Sequence, residues 1–138
     1  MNFSKLCIVG MTSLDAPITM PSSDIEKRIS PILTKFKMRP HIITELTGII
    51  ERRYWHEGTE PSDAATQVAQ NLFTKINFDK NNIDLIINSS VSKDCIEPSI
   101  AAIVHGNLEL KSECLNFDIG NACLAFLNSI EMAGALIE

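Results

Sequence analysis

The stretch spanning residues 83–126, IDLIINSSVSKDCIEPSIAAIVHGNLELKSECLNFDIGNACLAF, decides the fold. Its first segment, residues 83–88 (IDLIIN), is a near-continuous apolar run of strand length, the pattern of a central parallel strand. Pro98 then suits the first turn of a helix, where a missing N–H does no harm, and Ile100, Ala101, Ile103 and Val104 are that helix's apolar members. Residues 114–119 (CLNFDI) read as another strand. The chain next turns at Gly120, takes Asn121 as a helix cap, and enters a final helix from Ala122 to about Glu138. Strands alternating with helices predict an α/β layered sheet with parallel pairs.

Working outward, residues 5–11 (KLCIVGM) read as a further short buried strand, followed by a polar loop containing Pro17 and Pro21. Ser23, Asp24, Ile25 and Glu26 spell a capping box at a helix start. Ile25, Ile29, Ile32, Leu33 and Phe36 recur on one face of that helix, which Pro31 is expected to kink or split. Residues 44–58 show no clear period. A helix follows from near Pro61, capped close to Ser62 or Asp63, with Ala65, Val68, Ala69, Leu72 and Ile76 as its buried stripe. The last helix is apolar almost all round through Leu124, Phe126, Leu127, Ile130, Met132, Ala133 and Leu136. Such a helix belongs between layers, with more protein covering it.

Composition narrows the function classes. A chain of 138 residues with 45% hydrophobic content is long enough for one domain with a real core. Seventeen acidic against 12 basic residues give a net charge of −5, without the Lys/Arg clusters that nucleic-acid binding needs. No apolar run approaches the ~20 residues of a membrane span, and the N-terminal run is too short for a signal-peptide core. A cytoplasmic protein is expected. Cys7, Cys95, Cys114 and Cys123 show neither metal-ligand nor disulfide spacing and are expected to be free thiols. No metal site and no permanently bound cofactor is expected.

Cys123 stands out by position. A strand, a turn and a cap place it in the first turn of a helix, where unpaired N–H groups and the helix dipole favour negative charge. A thiol in such a place is biased toward the nucleophilic thiolate, with backbone donors near any thioester oxygen held at the sulfur. The plainer alternative is a packing cysteine, since free cysteines are among the most buried residues.

The run FDIGNACLAF (117–126) resembles the nucleophile segment of the ketoacyl-ACP synthase III group of the thiolase superfamily. There an Asp-containing strand leads to Ala-Cys-x-Gly-Phe at the start of a buried helix. TGIIERR (47–53), SDAA (62–65) and NIDLIINSS (82–90) resemble further family segments in the family's order. Ala125 departs from the usual Gly. The resemblance implies a thiolase-like N-terminal half-domain over residues 1–138, with a layered parallel or mixed sheet and helices on both faces. It makes Cys123 the acyl-accepting nucleophile. SVSKDCIEPS (90–99), together with NACLAF, resembles the branch that joins two acyl-CoA chains head to head. In that branch a Glu of this segment reaches into the partner's site and is thought to act as the base. Glu97 matches it, although Glu97 could also simply cap the helix beginning at Pro98.

Arg52, Arg53 and Trp55 lie where the family has part of its CoA contacts. Charge and stacking suit phosphates and adenine, and an exposed ion-pair cluster with Glu51 and Glu57 is the alternative. His41, His56 and His105 match no catalytic pattern. The family's catalytic His and Asn lie in a second half that this sequence lacks, so the chain alone is expected to be incomplete. The expected partners are acyl-CoA or acyl-ACP as substrate, and a second copy or a companion chain supplying the C-terminal half. The expected activity is an acyltransferase that loads an acyl group on Cys123 and condenses it with a second acyl thioester. The alternatives are a decarboxylating 3-oxoacyl-ACP synthase III and a non-catalytic partner subunit of the same fold.

Overall fold

The computed structural model describes residues 3–138. Two compact units emerge, one of residues 3–14 with 59–138, the other Asp15–Gly58.

In the Asp15–Gly58 unit, strand β1 (Ile18–Pro21) pairs antiparallel with β2 (Glu51–Tyr54), Ile18 opposite Tyr54 and Pro21 opposite Glu51. Both segments were expected to be irregular. Each is only four residues long, and its partner lies some thirty positions away, so local period carries little signal. Three short helices connect them: α1 (Ser22–Arg28), α2 (Ser30–Lys35) and α3 (Ile42–Thr47). Pro31 falls in the first turn of α2, so the expected long helix is split at Ile29. The capping box is not formed. Helix α1 follows Pro21 with no side-chain cap, and the Glu26 carboxylate instead accepts from the His41 N–H at 2.7 Å and the Ile43 N–H at 2.8 Å. Those amides open α3 and would otherwise lack acceptors, so tertiary demand outweighs the local motif.

In the larger unit, β3 (Leu85–Asn88) and β4 (Leu115–Asp118) run parallel, in a register from Leu85 opposite Leu115 to Asn88 opposite Asp118. Helix α5 (Ile100–Asn107) is the crossover between them, beginning two residues later than Pro98 suggested. Helix α4 (Pro61–Ile76) precedes the pair. It has Pro61 in its first turn, and Asp63 Oδ2 accepts from the Glu60 N–H at 3.1 Å. Because successive side chains alternate across a strand, Ile86 faces α4 and α5, while Leu85, Ile87 and Leu115 face α6 (Ala125–Ile137). Helices thus cover both faces. The core lies on the α4–α5 side: Ile100, Val104, Leu108, Leu110 and Cys114 are buried, with Ala65, Ala69, Phe73, Ile83 and Ile86 against them.

Among the described residues Ile100 is the largest fully buried side chain. Ile100→Ala removes its methyl groups from a site that cannot fully collapse. It is expected to lower unfolding free energy by about 2–5 kcal/mol, read from urea denaturation.

One expectation is corrected here. Residues 5–11 join no ladder among the described residues, and Ile8 and Val9 are 71% and 73% exposed. The run follows α4 instead. Gly10 lies so close to it that a Cβ there would be 2.9 Å from Ile76 Cγ2, and Lys75 Nζ donates to the Met11 carbonyl at 3.1 Å. Helix α6 leaves an apolar face open, the face for which the sequence reading expects further covering protein. Ala125, Ser129 and Gly134 form its buried line, while Phe126 and Leu127 are each 60% exposed. Apolar composition states what would be favourable to bury, but burial needs a covering surface. Among the described residues, no helix is long and apolar enough to cross a membrane.

Candidate active site

Parallel pairing brings the carboxyl ends of β3 and β4 to one end of the sheet, the usual ligand edge of α/β folds. Two segments leave from this edge. One is the 89–99 loop carrying Glu97, and the other is the 119–124 turn carrying Cys123.

The turn after β4 differs in detail from the sequence reading. Residues Ala122–Leu124 form one 3₁₀ turn ahead of α6, so Cys123 precedes the α-helix proper. The reversal is made by Ala122, at φ +43°, and not by Gly120. A left-handed alanine holds ~1–2 kcal/mol of strain, and such strain collects at functional turns. Asn121 supplies no side-chain cap; its Nδ2 donates to Asn128 Oδ1 at 2.8 Å. The expected free donors are also fewer. The Leu124 and Ala125 amides close on the carbonyls of Asn121 and Ala122, leaving the Cys123 amide without an acceptor among the described residues. Cys123 is exposed. Ala125, where the resembled family has Gly, is 0% exposed, so its methyl group fills space immediately behind the turn.

Glu97 is exposed and makes no hydrogen bond or ion pair among the described residues. It does not cap α5. The four amides opening that helix are all engaged elsewhere. Ile100 and Ala101 donate to the two carboxylate oxygens of Asp118 at 3.1 and 2.9 Å, Ala102 donates to Ser99 Oγ at 3.1 Å, and Ile103 donates to the Ser99 carbonyl at 3.1 Å. The loop has two other anchors. Asn88 Oδ1 accepts from the Ser90 N–H at 3.2 Å, and Asp94 Oδ1 accepts from the Ser62 N–H at 3.1 Å. Asn88 Nδ2 is buried without a partner among the described residues. Asp118, which organises this corner, escaped the sequence reading as a site residue. A single Asp ending a strand carries no local signal of what it will bond.

The third group of candidates sits in the Asp15–Gly58 unit. Strand alternation puts Arg52 and Arg53 on opposite faces of the β1–β2 ribbon. Arg52 Nη1 donates to Ser22 Oγ at 2.9 Å and is engaged in the fold. Arg53 is half-exposed and lies 3.6 Å from Glu51. Trp55, two residues on, is half-buried. Among the described residues no ion pair reaches Glu57. His105 Nε2 lies 3.1 Å from the Lys111 carbonyl, a packing role. All four cysteines are free thiols, Cys114 buried and the others exposed, and burial pushes the Cys114 thiol up. Among the described residues no group of three or more His, Cys, Asp or Glu could hold a metal ion.

No protein-family model matches the chain. Curated relatives do. The acyl-CoA:acyl-CoA alkyltransferase of Xanthomonas campestris is 39% identical over 138 residues, all of this chain and 41% of that protein. A beta-ketoacyl-[acyl-carrier-protein] synthase III of Streptococcus uberis is 39% identical over 96 residues, 70% of this chain and 29% of that protein. Among solved structures, a glutamate-to-aspartate variant of Xanthomonas campestris OleA superposes with a TM-score of 0.83 at 40% identity, over 90% of this chain and 38% of that one. The FabH 3-oxoacyl-(acyl carrier protein) synthase III of Xanthomonas oryzae gives a TM-score of 0.83 at 38% identity, over 88% of this chain and 36% of that one. The chain therefore spans about two fifths of the length of the alkyltransferase it matches. By sequence and by fold, the chain belongs to the thiolase superfamily, as an N-terminal portion of the ketoacyl-ACP synthase III-like type.

Proposed function

We propose that this chain carries the nucleophile and the base of a non-decarboxylating acyl-condensing enzyme. The observation that carries the reading is an exposed Cys123 on a left-handed strand–turn–helix junction at the carboxyl edge of a parallel pair. It occurs in a chain similar along its whole length to an acyl-CoA:acyl-CoA alkyltransferase.

The Cys123 thiolate attacks the carbonyl carbon of an acyl-CoA. The C–S bond to CoA breaks, the CoA thiolate leaves and takes up a proton, and an acyl-enzyme remains. The Cys123 amide, lacking another acceptor among the described residues, suits the oxygen that becomes anionic in this step. The Glu97 carboxylate then takes an α-proton from a second acyl thioester. The resulting carbanion bonds to the acyl carbon on Cys123, and the sulfur leaves as thiolate. Arg53 and Trp55 are assigned to the CoA phosphates and adenine, while Arg52 is held in the fold by its bond to Ser22. A second copy or a companion chain covers the apolar flank of α6, and the complete reaction also uses the His and Asn that the resembled family carries in its C-terminal half. Similarity to beta-ketoacyl-[acyl-carrier-protein] synthase III over 70% of the chain supports a second reading, in which the carbanion arises by decarboxylation of a malonyl thioester.

Brief iodoacetamide treatment followed by mass spectrometry tests the nucleophile. Cys123 is expected to label first and Cys114 last, because Cys114 is buried and its thiol is pushed up, leaving less thiolate near neutral pH. Prior incubation with an acyl-CoA is expected to protect Cys123 alone. Labelling of Cys123 no faster than the exposed Cys7 and Cys95 would overturn the assignment.

A further inference from the structure

Asp118 holds a position that the reaction scheme above leaves unused. It ends β4, five positions before Cys123, and its side chain is only 11% exposed. Both carboxylate oxygens are committed to the backbone at the far end of the Glu97 loop, on the Ile100 and Ala101 amides. These are charge-assisted bonds to a helix N-terminus, stronger than neutral ones and aligned with the helix dipole. Lys93, on the same loop, lies 3.9 Å from Oδ2, half-exposed and contributing little. The loop is otherwise anchored at Ser90 and Asp94, both ahead of Glu97. Within the loop, Cys95 Sγ donates to the Pro98 carbonyl at 3.7 Å, and where the loop enters α5, Asp118 is the side chain from another element that holds the backbone among the described residues. Ile96, immediately before Glu97, is 89% exposed, so packing does not fix this tip.

We propose that Asp118 is a positioning residue that registers the Glu97 loop on the strand end from which Cys123 rises. One strand then sets the placement of both reacting groups. If Glu97 acts in a partner's site, as the family resemblance implies, a two-fold axis carries the same registration across. The inference rests on the reading of Glu97 as base and Cys123 as nucleophile.

The test compares Asp118→Asn, Ser99→Ala and Glu97→Gln in the complete enzyme. Asp118→Asn keeps the volume but turns an NH₂ group toward one of the two amides. Amide exchange at Ile100 and Ala101 is expected to rise. Acyl transfer to Cys123 stays near normal, while kcat for condensation falls about 10-fold or more, the scale of a misplaced reacting group. Deuterium exchange at the α-carbon of the second thioester falls in parallel. Ser99→Ala removes the other cap of the same helix and is expected to leave condensation unchanged. Normal condensation by Asp118→Asn, with Glu97→Gln impaired, would overturn the positioning role alone. Equal losses in Asp118→Asn and Ser99→Ala, or loss of acylation and condensation together, would reduce Asp118 to a helix cap. Normal condensation by Glu97→Gln would remove the base reading itself, and the proposal with it.

Discussion

Cys123→Ala is expected to abolish both half-reactions. No acyl-enzyme mass appears after incubation with acyl-CoA, CoA release drops to background, and condensation falls by ~10³-fold or more, the scale of losing a covalent nucleophile. The variant makes a clean experiment because Cys123 is exposed, and the left-handed position belongs to its neighbour Ala122. An exposed side chain outside the core changes stability by no more than ~0.5 kcal/mol when truncated, so loss of activity with an unchanged melting curve isolates the chemistry. Retained acyl-enzyme formation would move the nucleophile elsewhere, with the exposed Cys95 next in line.

Glu97→Gln separates the two condensing chemistries. Glutamine keeps the size and much of the hydrogen bonding but cannot take the α-proton as a carboxylate does. Acyl transfer to Cys123 is expected at a near-normal rate, while joining of two acyl-CoA molecules falls ~100-fold or more, the scale of a lost general base. Stability is also expected to hold, because Ser99 and Asp118 satisfy the opening amides of α5 and Glu97 is exposed. The assay follows acyl-enzyme mass and released CoA together in the complete enzyme. If the unmodified enzyme yields product only from a malonyl thioester, the decarboxylating reading replaces this one. If Glu97→Gln condenses normally, Glu97 is an exposed loop residue with no part in the reaction.

Much of the larger unit was legible in the sequence. The apolar runs at 83–88 and 114–119 contain the strands Leu85–Asn88 and Leu115–Asp118, and such runs need no distant information to be recognised. Pro61 marks the start of α4, and Pro31 a break, because the missing N–H of proline is a local property. Around Cys123 the order of strand, turn and helix was legible, but not the left-handed Ala122, the missing Asn121 cap or the 3₁₀ turn that precedes α6.

What the sequence left undecided depends on where a polar group or an apolar face finds its partner. Ser23 and Glu26 spell a capping box, but Glu26 bonds the amides of α3 fifteen and seventeen positions away. Capping of α5 was the alternative to the base role for Glu97, but the cap arrives from Asp118, on the next strand. Residues 5–11 are as apolar as β3 yet join no ladder among the described residues, since a strand also requires a free edge within reach. Local pattern marked α4, β3, α5 and β4, because propensity and periodicity act over one or two turns, but it missed β1 and β2, whose pairing is distant in the chain. Only the tertiary structure decided which carboxylate caps which helix and which thiol stands open, because hydrogen-bond satisfaction and burial are set by neighbours distant in the chain.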